Sequence, residues 1–307
     1  MKALSVIIDT DPGVDDFVAL MLAKQNPQLK IEGITTVAGN LGSDKVTQNA
    51  LNIVKFLELE APVIRGARSP LGHSLESAEA FHGEGGLGGV KLPQSNQKCI
   101  EQYAWDFIYE KAVSLKGELE IIALGPLTNL AKALKKYPDL SQHVKTITFM
   151  GGSTGRGNRT PFAEFNIWAD PLAAQIVFES GIPLKMVGLD VTTKGVLNET
   201  NMNKLLEYEH PYKEVVKQLL HFLQQLSKQM GKDTVMLHDA LAVASVICPP
   251  LLTYTACYSE VEIHDEKYRG QTRIDLEHVT RKQPNVEVAI AVDTPRFIHL
   301  LEEMLKY

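Results

Sequence analysis

Val6-Ile7-Ile8-Asp9-Thr10-Asp11-Pro12-Gly13-Val14-Asp15-Asp16 is the stretch whose reading decides the fold. The apolar, β-branched run Leu4–Ile8 reads as a buried strand. It stops at an acidic turn holding Pro12 and Gly13, and apolar residues then recur at helical spacing at Phe17, Leu20 and Met21. Four carboxylates, Asp9, Asp11, Asp15 and Asp16, are thereby crowded at the carboxyl end of one strand and the first turn of the next helix. In an open α/β sheet that edge is where ligands bind.

A helix N-terminus favours Asp15 and Asp16 through its dipole and free N–H groups. An ordinary strand–turn–helix junction with an Asp cap accounts for one or two of these acids, not for four. Two like charges about 4 Å apart repel by about 4 kcal/mol at an effective dielectric of about 20. Either some of the carboxylates hold protons or a cation sits among them, and an all-oxygen set suits a hard cation, Ca²⁺ or Mg²⁺. An EF-hand loop starting at Asp9 fails, because its twelfth position is Leu20, which cannot ligate. A phosphatase of the haloacid-dehalogenase type would use Asp9 as nucleophile and Asp11 as acid. Such enzymes usually carry Thr two positions later, where this chain has Gly13.

The bulk numbers narrow the class. With 307 residues, 44% hydrophobic and 22% charged, the chain has the composition of an ordinary globular protein able to bury a full core. A formal charge of −6 argues against a nucleic-acid-binding surface. Cys99, Cys248 and Cys257 have no metal-ligand spacing, and their odd number suits a reducing compartment. The first apolar run is too short for a signal peptide, and no apolar stretch approaches the roughly 20 residues needed to span a bilayer. These features point to the cytoplasm and to no membrane partner.

Outward from the acidic turn, strand and helix alternate. Ile31–Val37 reads as a strand ending at Ala38-Gly39-Asn40, followed by a helix over Ser43–Leu57 and a short strand from Pro62 to Arg65. Further strands are expected at Leu119–Leu124, Val144–Met150 and Leu184–Leu189, with helices over Cys99–Leu115 and Pro211–Met230. Such alternation implies α/β architecture: an open, mostly parallel, Rossmann-like sheet flanked by helices. Strands near Thr255–Ile263, Thr272–Val279 and Val286–Val292 make a small antiparallel C-terminal extension, and a helix from Pro295 ends the chain. No linker or compositional break divides residues 1–307, so one domain is expected.

Several loops carry polar groups. The glycine-dense segment Phe81-His82-Gly83-Glu84-Gly85-Gly86 is no Walker loop, lacking the Gly-Lys-Ser/Thr ending, and reads as a rim or lid bearing His82. Gly125-Pro126 after the fourth strand leaves the Leu124 carbonyl free to point outward. Asn158, Glu164, Asn166 and Asp170 follow the fifth strand and suit the reading of hydroxyls. His238-Asp239 falls where a helix begins.

Taken in order, Asp9-Thr10-Asp11-Pro12-Gly13-Val14-Asp15-Asp16, Thr35 to Asn40, His82-Gly83, Gly125 to Asn129, Ala163-Glu164-Phe165-Asn166 and His238-Asp239-Ala240 resemble the inosine–uridine-preferring nucleoside hydrolases from about residue 4 to beyond 270. The resemblance implies calcium-dependent hydrolysis of the N-glycosidic bond of ribonucleosides. It implies Ca²⁺ on Asp11, Asp16, Asp239 and the Leu124 carbonyl. Asp15 would take a proton from a metal-bound water, and His238 would protonate the leaving base. Asn40, Asn158, Glu164 and Asn166 would hold the ribose, His82 and Phe165 would line the pocket, and Asp9 would support the metal loop. A homo-oligomer, dimer or tetramer, is implied as well. One departure concerns the base. Ser227–Leu237 holds no aromatic to stack on it, leaving only Tyr212 and Phe222 on the preceding helix as candidates. A non-catalytic nucleoside or sugar binder on the same scaffold would need neither Asp15 nor His238.

Overall fold

The computed structural model describes residues 3–83 and 85–306. Its first half alternates as expected: β1 (Leu4–Thr10), α1 (Val14–Gln25), β2 (Leu29–Thr36), α2 (Ser43–Phe56) and β3 (Val63–Arg65). A long excursion holds only the short α3 (Glu79–His82) before α4 (Ala104–Ser114), β4 (Leu119–Ala123), α5 (Thr128–Lys136) and β5 (Val144–Met150). Then come α6 (Phe165–Ala169), α7 (Pro171–Phe178), β6 (Leu184–Val187) and α8 (Leu189–Thr192). The last third contains β7 (Val196–Leu197), α9 (Glu199–Glu207), α10 (Lys213–Gln229), β8 (Val235–Met236) and α11 (His238–Ile247). It ends with β9 (Leu252–Val261), β10 (Thr272–Asp275), β11 (Val286–Val292) and α12 (Thr294–Met304).

Nine strands form one sheet in the order β10-β9-β11-β6-β5-β4-β1-β2-β3. From β3 through β1 to β6 every pairing is parallel, and the order 3-2-1-4-5-6 is that of a dinucleotide-fold sheet. Strand order reverses between β1 and β4, which opens a crevice beyond their carboxyl ends. Alternate residues of β1 go to opposite faces. Val6 and Ile8 join the core built with α1, α2 and α10–α12, whereas Ile7 joins the core built with α4, α5 and α7.

The expected C-terminal extension is antiparallel at β9 and β10, but it is continuous with the central sheet. β11 pairs antiparallel with β9, as read, and also lies parallel to β6 through Glu287↔Lys185 and Val288↔Met186, which joins the extension to the central sheet. The helix expected from Cys99 starts only at Ala104, because Ile100 is held extended by an N–H bond to the Val63 carbonyl (2.9 Å). The strand expected through Leu189 ends at Val187, where Gly188 turns the chain into α8. The strand expected to reach Val279 stops at Asp275, whose carboxylate accepts from the backbone of Val279 and Thr280 (2.8 Å each). A second sheet, β7 paired antiparallel with β8, carried no alternation long enough to be seen in the sequence.

Candidate active site

The acidic turn sits at the β1/β4 switch point. Gly13 caps α1, and its N–H donates to Asp16 Oδ2 (2.7 Å), so the third helical residue reaches back over the first turn. Thr10 Oγ donates to the other oxygen of Asp16. α11 packs against α1 and places Asp239 in its own first turn. One oxygen from each of Asp15, Asp16 and Asp239 then lies within 4.8 Å of the others. Asp11 stands beside this trio, with one oxygen accepting the Asn40 N–H (2.7 Å), while Asn40 Nδ2 donates to the Asp11 carbonyl (3.1 Å). Gly39 makes room, since a Cβ there would fall on the Asp11 carboxylate.

All four acids are buried, and no lysine or arginine pairs with them among the described residues. Burial, then mutual repulsion, holds Asp11 and Asp239 well above the usual carboxylate range and pushes Asp16 up to about 6. Oxygen donors only, buried and without a counter-charge, such a set could hold a hard cation. The donor set fits Ca²⁺ or Mg²⁺. The tightest trio contains Asp15 where the resemblance implied Asp11, because Asp15 and Asp16 share one helical turn that faces α11.

Asp9 does not face the cavity. It is fully buried, accepts from Thr35 Oγ1 and Asn129 Nδ2 (2.7 Å), and is raised to about 6 by burial. A nucleophile sealed in this way cannot meet a phosphate, so the phosphatase alternative has no structural basis.

Above the cluster opens a cavity of about 930 Å³. Asn40, His82, Leu124, Asn158, Glu164, Phe165, Asn166, His238, Asp15 and Asp239 all line it. The Leu124 carbonyl faces it but accepts from Asn166 Nδ2 (2.7 Å), which also reaches the Met150 carbonyl (3.1 Å). Glu164 caps α6, accepting from the N–H groups of Asn166 (3.0 Å), Ile167 (3.2 Å) and Gly152 (3.0 Å). Burial pushes its carboxyl up to about 7 despite those bonds. Asn158 accepts from the Phe165 N–H (2.9 Å), holding the loop against α6. Asp170, grouped above with the hydroxyl readers, is structural: its carboxylate takes Thr128 Oγ1 (2.7 Å) and the N–H groups of Leu71 (2.9 Å) and Ala173 (3.1 Å).

Two histidines flank the cavity. His238 Nδ1 is 2.8 Å from Thr192 Oγ1, and burial, with Lys232 nearby, holds the ring below its ordinary range. His82 Nδ1 accepts the Val14 N–H at 3.4 Å and is likewise lowered by burial. The base-side aromatics suggested on α10 do not reach. Tyr212 packs edge-on against Phe56 and accepts from Lys24 (2.7 Å), and Phe222 fills the space beside Gly88. Phe81, Met230, Lys232 and Met236 line the cavity as well. Met230 and Lys232 follow α10, and Met236 lies in the two-residue β8; none belongs to a motif, so only folding could reveal them. Asp190, in the first turn of α8, and Lys194 also line the cavity.

Comparison with known proteins agrees with this geometry. The family model for inosine-uridine preferring nucleoside hydrolases matches residues 6–299. The non-specific ribonucleoside hydrolase RihC of Escherichia fergusonii is 38% identical over 302 residues, covering 98% of each chain. Its Salmonella enteritidis counterpart is 37% identical over 305 residues, 99% of this chain and 98% of that one. Among solved structures, a plant nucleoside hydrolase superposes with a TM-score of 0.93 at 33% identity, and the purine-preferring ribonucleoside hydrolase from Gardnerella vaginalis with 0.91 at 31%. Each of these covers 98% of both chains. The chain therefore belongs to the inosine–uridine preferring nucleoside hydrolase family and is a ribonucleoside N-glycosyl hydrolase.

Proposed function

We propose that the enzyme is calcium-dependent and splits ribonucleosides of both base classes into ribose and free base. The observation that carries this reading is a cluster of buried carboxylates without a counter-cation beneath a cavity lined by the amides of Asn40, Asn158 and Asn166. Asp11, Asp15, Asp16, Asp239 and the Leu124 carbonyl would hold Ca²⁺, which tolerates many oxygen ligands at 2.3–2.6 Å. When bound, the cation acts as a Lewis acid that makes water a better nucleophile at neutral pH.

The chain's own groups supply the rest. Asn40, Asn158, Glu164 and Asn166 bind the ribose hydroxyls and orient C1′ over the acidic floor. Asp15 accepts the proton of the attacking water as its oxygen bonds to C1′. The C–N bond breaks with its electron pair going to the base, and the buried carboxylates stabilise the positive charge that develops on the sugar. His238 sits on the base side. Its ring takes a proton from solvent as the leaving base grows negative beside it and passes that proton to the base nitrogen freed from C1′. His82 and Phe165 wall the pocket. The flexible thioethers of Met230 and Met236 accommodate bases of different outline, which supports broad base acceptance.

A cytoplasmic setting and a homo-oligomer, dimer or tetramer, complete the reading. The first is supported by three free cysteines and the lack, among the described residues, of any helix able to cross a membrane. The second rests on the resemblance alone, and light scattering on the purified chain tests it. The test of the central proposal is a panel of ribo- and 2′-deoxyribonucleosides assayed for reducing sugar, with and without chelator. Ribosides are expected to exceed deoxyribosides by about 10⁴ in kcat/KM, because a site built around a hydroxyl is left unpaired without it. Chelation should abolish turnover and calcium restore it. Equal efficiency on uridine and 2′-deoxyuridine, or full activity in chelator, refutes the proposal.

A further inference from the structure

The cavity has two walls drawn from distant parts of the chain. On one side, the Ala78 N–H donates to the Asn40 carbonyl (3.1 Å), so residues 76–82 ride on the residue that grips Asp11. On the other, α6 carries Asn166 behind its cap Glu164. The mechanism above leaves unexplained what spans them at the rim. Glu76 Oε1 lies 3.0 Å from Arg269 Nη2, and its Oε2 lies 3.6 Å from Arg159 Nη2. Both guanidiniums are stacked on Trp168, 4.1 Å and 4.3 Å from the ring centroid. Trp168 belongs to α6, two residues beyond Asn166. The approach of the Arg269 segment is enforced by Gly270, which adopts φ +76° where a Cβ would meet Trp168 Cα at 2.5 Å.

A lone exposed ion pair contributes little, because ordering two long side chains offsets the attraction. Here the indole already holds both guanidiniums flat, and Glu266 Oε1 at 3.2 Å from Arg269 Nη1 fixes one of them further, so Glu76 meets a prepared pair of guanidiniums. We propose that Glu76 is a positioning residue, bridging Arg159 and Arg269 over Trp168 to fix the separation of the Asn40 wall and the Glu164–Asn166 wall, so that both grip one ribose. Glu76 touches neither substrate nor cation. The inference rests on reading the cavity as the ribonucleoside site. Loosening the walls weakens ground-state and transition-state binding alike, which raises KM and leaves kcat alone. Because the carboxylate is half-exposed, salt should screen the bridge and raise KM in the unsubstituted enzyme more than in a Glu76 variant.

The experiment measures inosine hydrolysis by the full chain at saturating calcium for Glu76→Gln, Glu76→Asp, Arg159→Ala and the Glu76→Gln/Arg159→Ala pair. KM should rise about five- to tenfold in Glu76→Gln and by less, though more than twofold, in Arg159→Ala, which leaves Arg269 on Glu76, with kcat within about twofold in both. The pair should be no worse than Glu76→Gln alone, since that substitution already removes the charge that Arg159 meets. Glu76→Asp should recover part of the loss, and melting curves should overlay. The proposal is overturned if KM stays within about twofold in both single variants, if the losses multiply in the pair, or if the loss falls on kcat alone. An unsubstituted enzyme inactive on every ribonucleoside would overturn the reading of the cavity and this inference with it. An active enzyme whose KM is unmoved by Glu76→Gln sinks the bridge only.

Discussion

Asp15 and His238 line the same cavity and are expected to separate by leaving group. Asp15→Asn should cut turnover by about 10²–10⁴ for every substrate, because each needs its water deprotonated. His238→Ala should damage inosine hydrolysis far more than that of p-nitrophenyl riboside, whose leaving group is stable as an anion. The ratio of the two losses, taken at saturating calcium, checks this; a ratio near unity removes His238 from the acid role. Glu164 makes a second prediction at this scale. Its folded pKa of about 7 exceeds the ordinary 4.5, so the folded state holds the proton more tightly than the unfolded chain. The stability this contributes is present below pH 4.5 and is lost as pH rises through about 7. Glu164→Gln cannot titrate, so its melting temperature should decline less than the parent's over that window. Parallel pH profiles would show that Glu164 is already ionised throughout it.

At the scale of elements, the site is a set of caps. α1, α6 and α11 each begin at the cavity, and their first turns or caps supply Asp15 and Asp16, Glu164, and His238 with Asp239. Helix starts lie there because parallel strands end there and each crossover turns back at the same sheet edge. Asp170 shows the structural version of the same device. It caps α7 while tying in Thr128 of α5 and the Leu71 backbone, all without facing substrate. Asp170→Ala strips a cap and strands buried donors, so it should cost about 2–4 kcal/mol in urea unfolding. Its KM should stay near the parent value wherever the variant is folded. A loss below about 0.5 kcal/mol, the range of an ordinary surface change, would contradict this role.

At the scale of the molecule, the sheet stabilises a fold that its own active site destabilises. Carboxylates lifted above their ordinary range favour folding while protonated, so the metal-free protein should lose stability as pH rises from about 4 through about 6. Calcium should reverse that trend, adding about 2.7 kcal/mol at a hundredfold excess over Kd. Asp11→Ala should therefore melt higher than the parent without metal and lower with it, since one repelling charge and one ligand vanish together. Scanning calorimetry with and without calcium reads both signs, and calorimetric titration reads the affinity. Undiminished calcium binding by Asp11→Ala would exclude it as a ligand.

The alternation of buried β-branched runs with helical spacing was enough to set the parallel order and the active edge. Local sequence carries strand ends, caps and turns, because these depend on neighbours a few residues apart. Asp9 to Asp16, Asn40, Leu124, Glu164 to Asn166 and His238-Asp239 were legible for that reason: each lies at an element end marked by Gly, Pro or a capping side chain. What folding alone decided are relations between distant segments. β11 turns parallel to β6 through long-range pairing that its alternation cannot encode. Oxygens of Asp15, Asp16 and Asp239 come within 4.8 Å of one another through the packing of α1 on α11. Glu76 finds Arg159 and Arg269 across 83 and 193 residues, and Met230 with Met236 lines the cavity where Tyr212 and Phe222 do not. Side-chain chemistry belongs to the residue and is written in the chain. Proximity across the fold is set by how whole faces bury against each other, and no short stretch contains it.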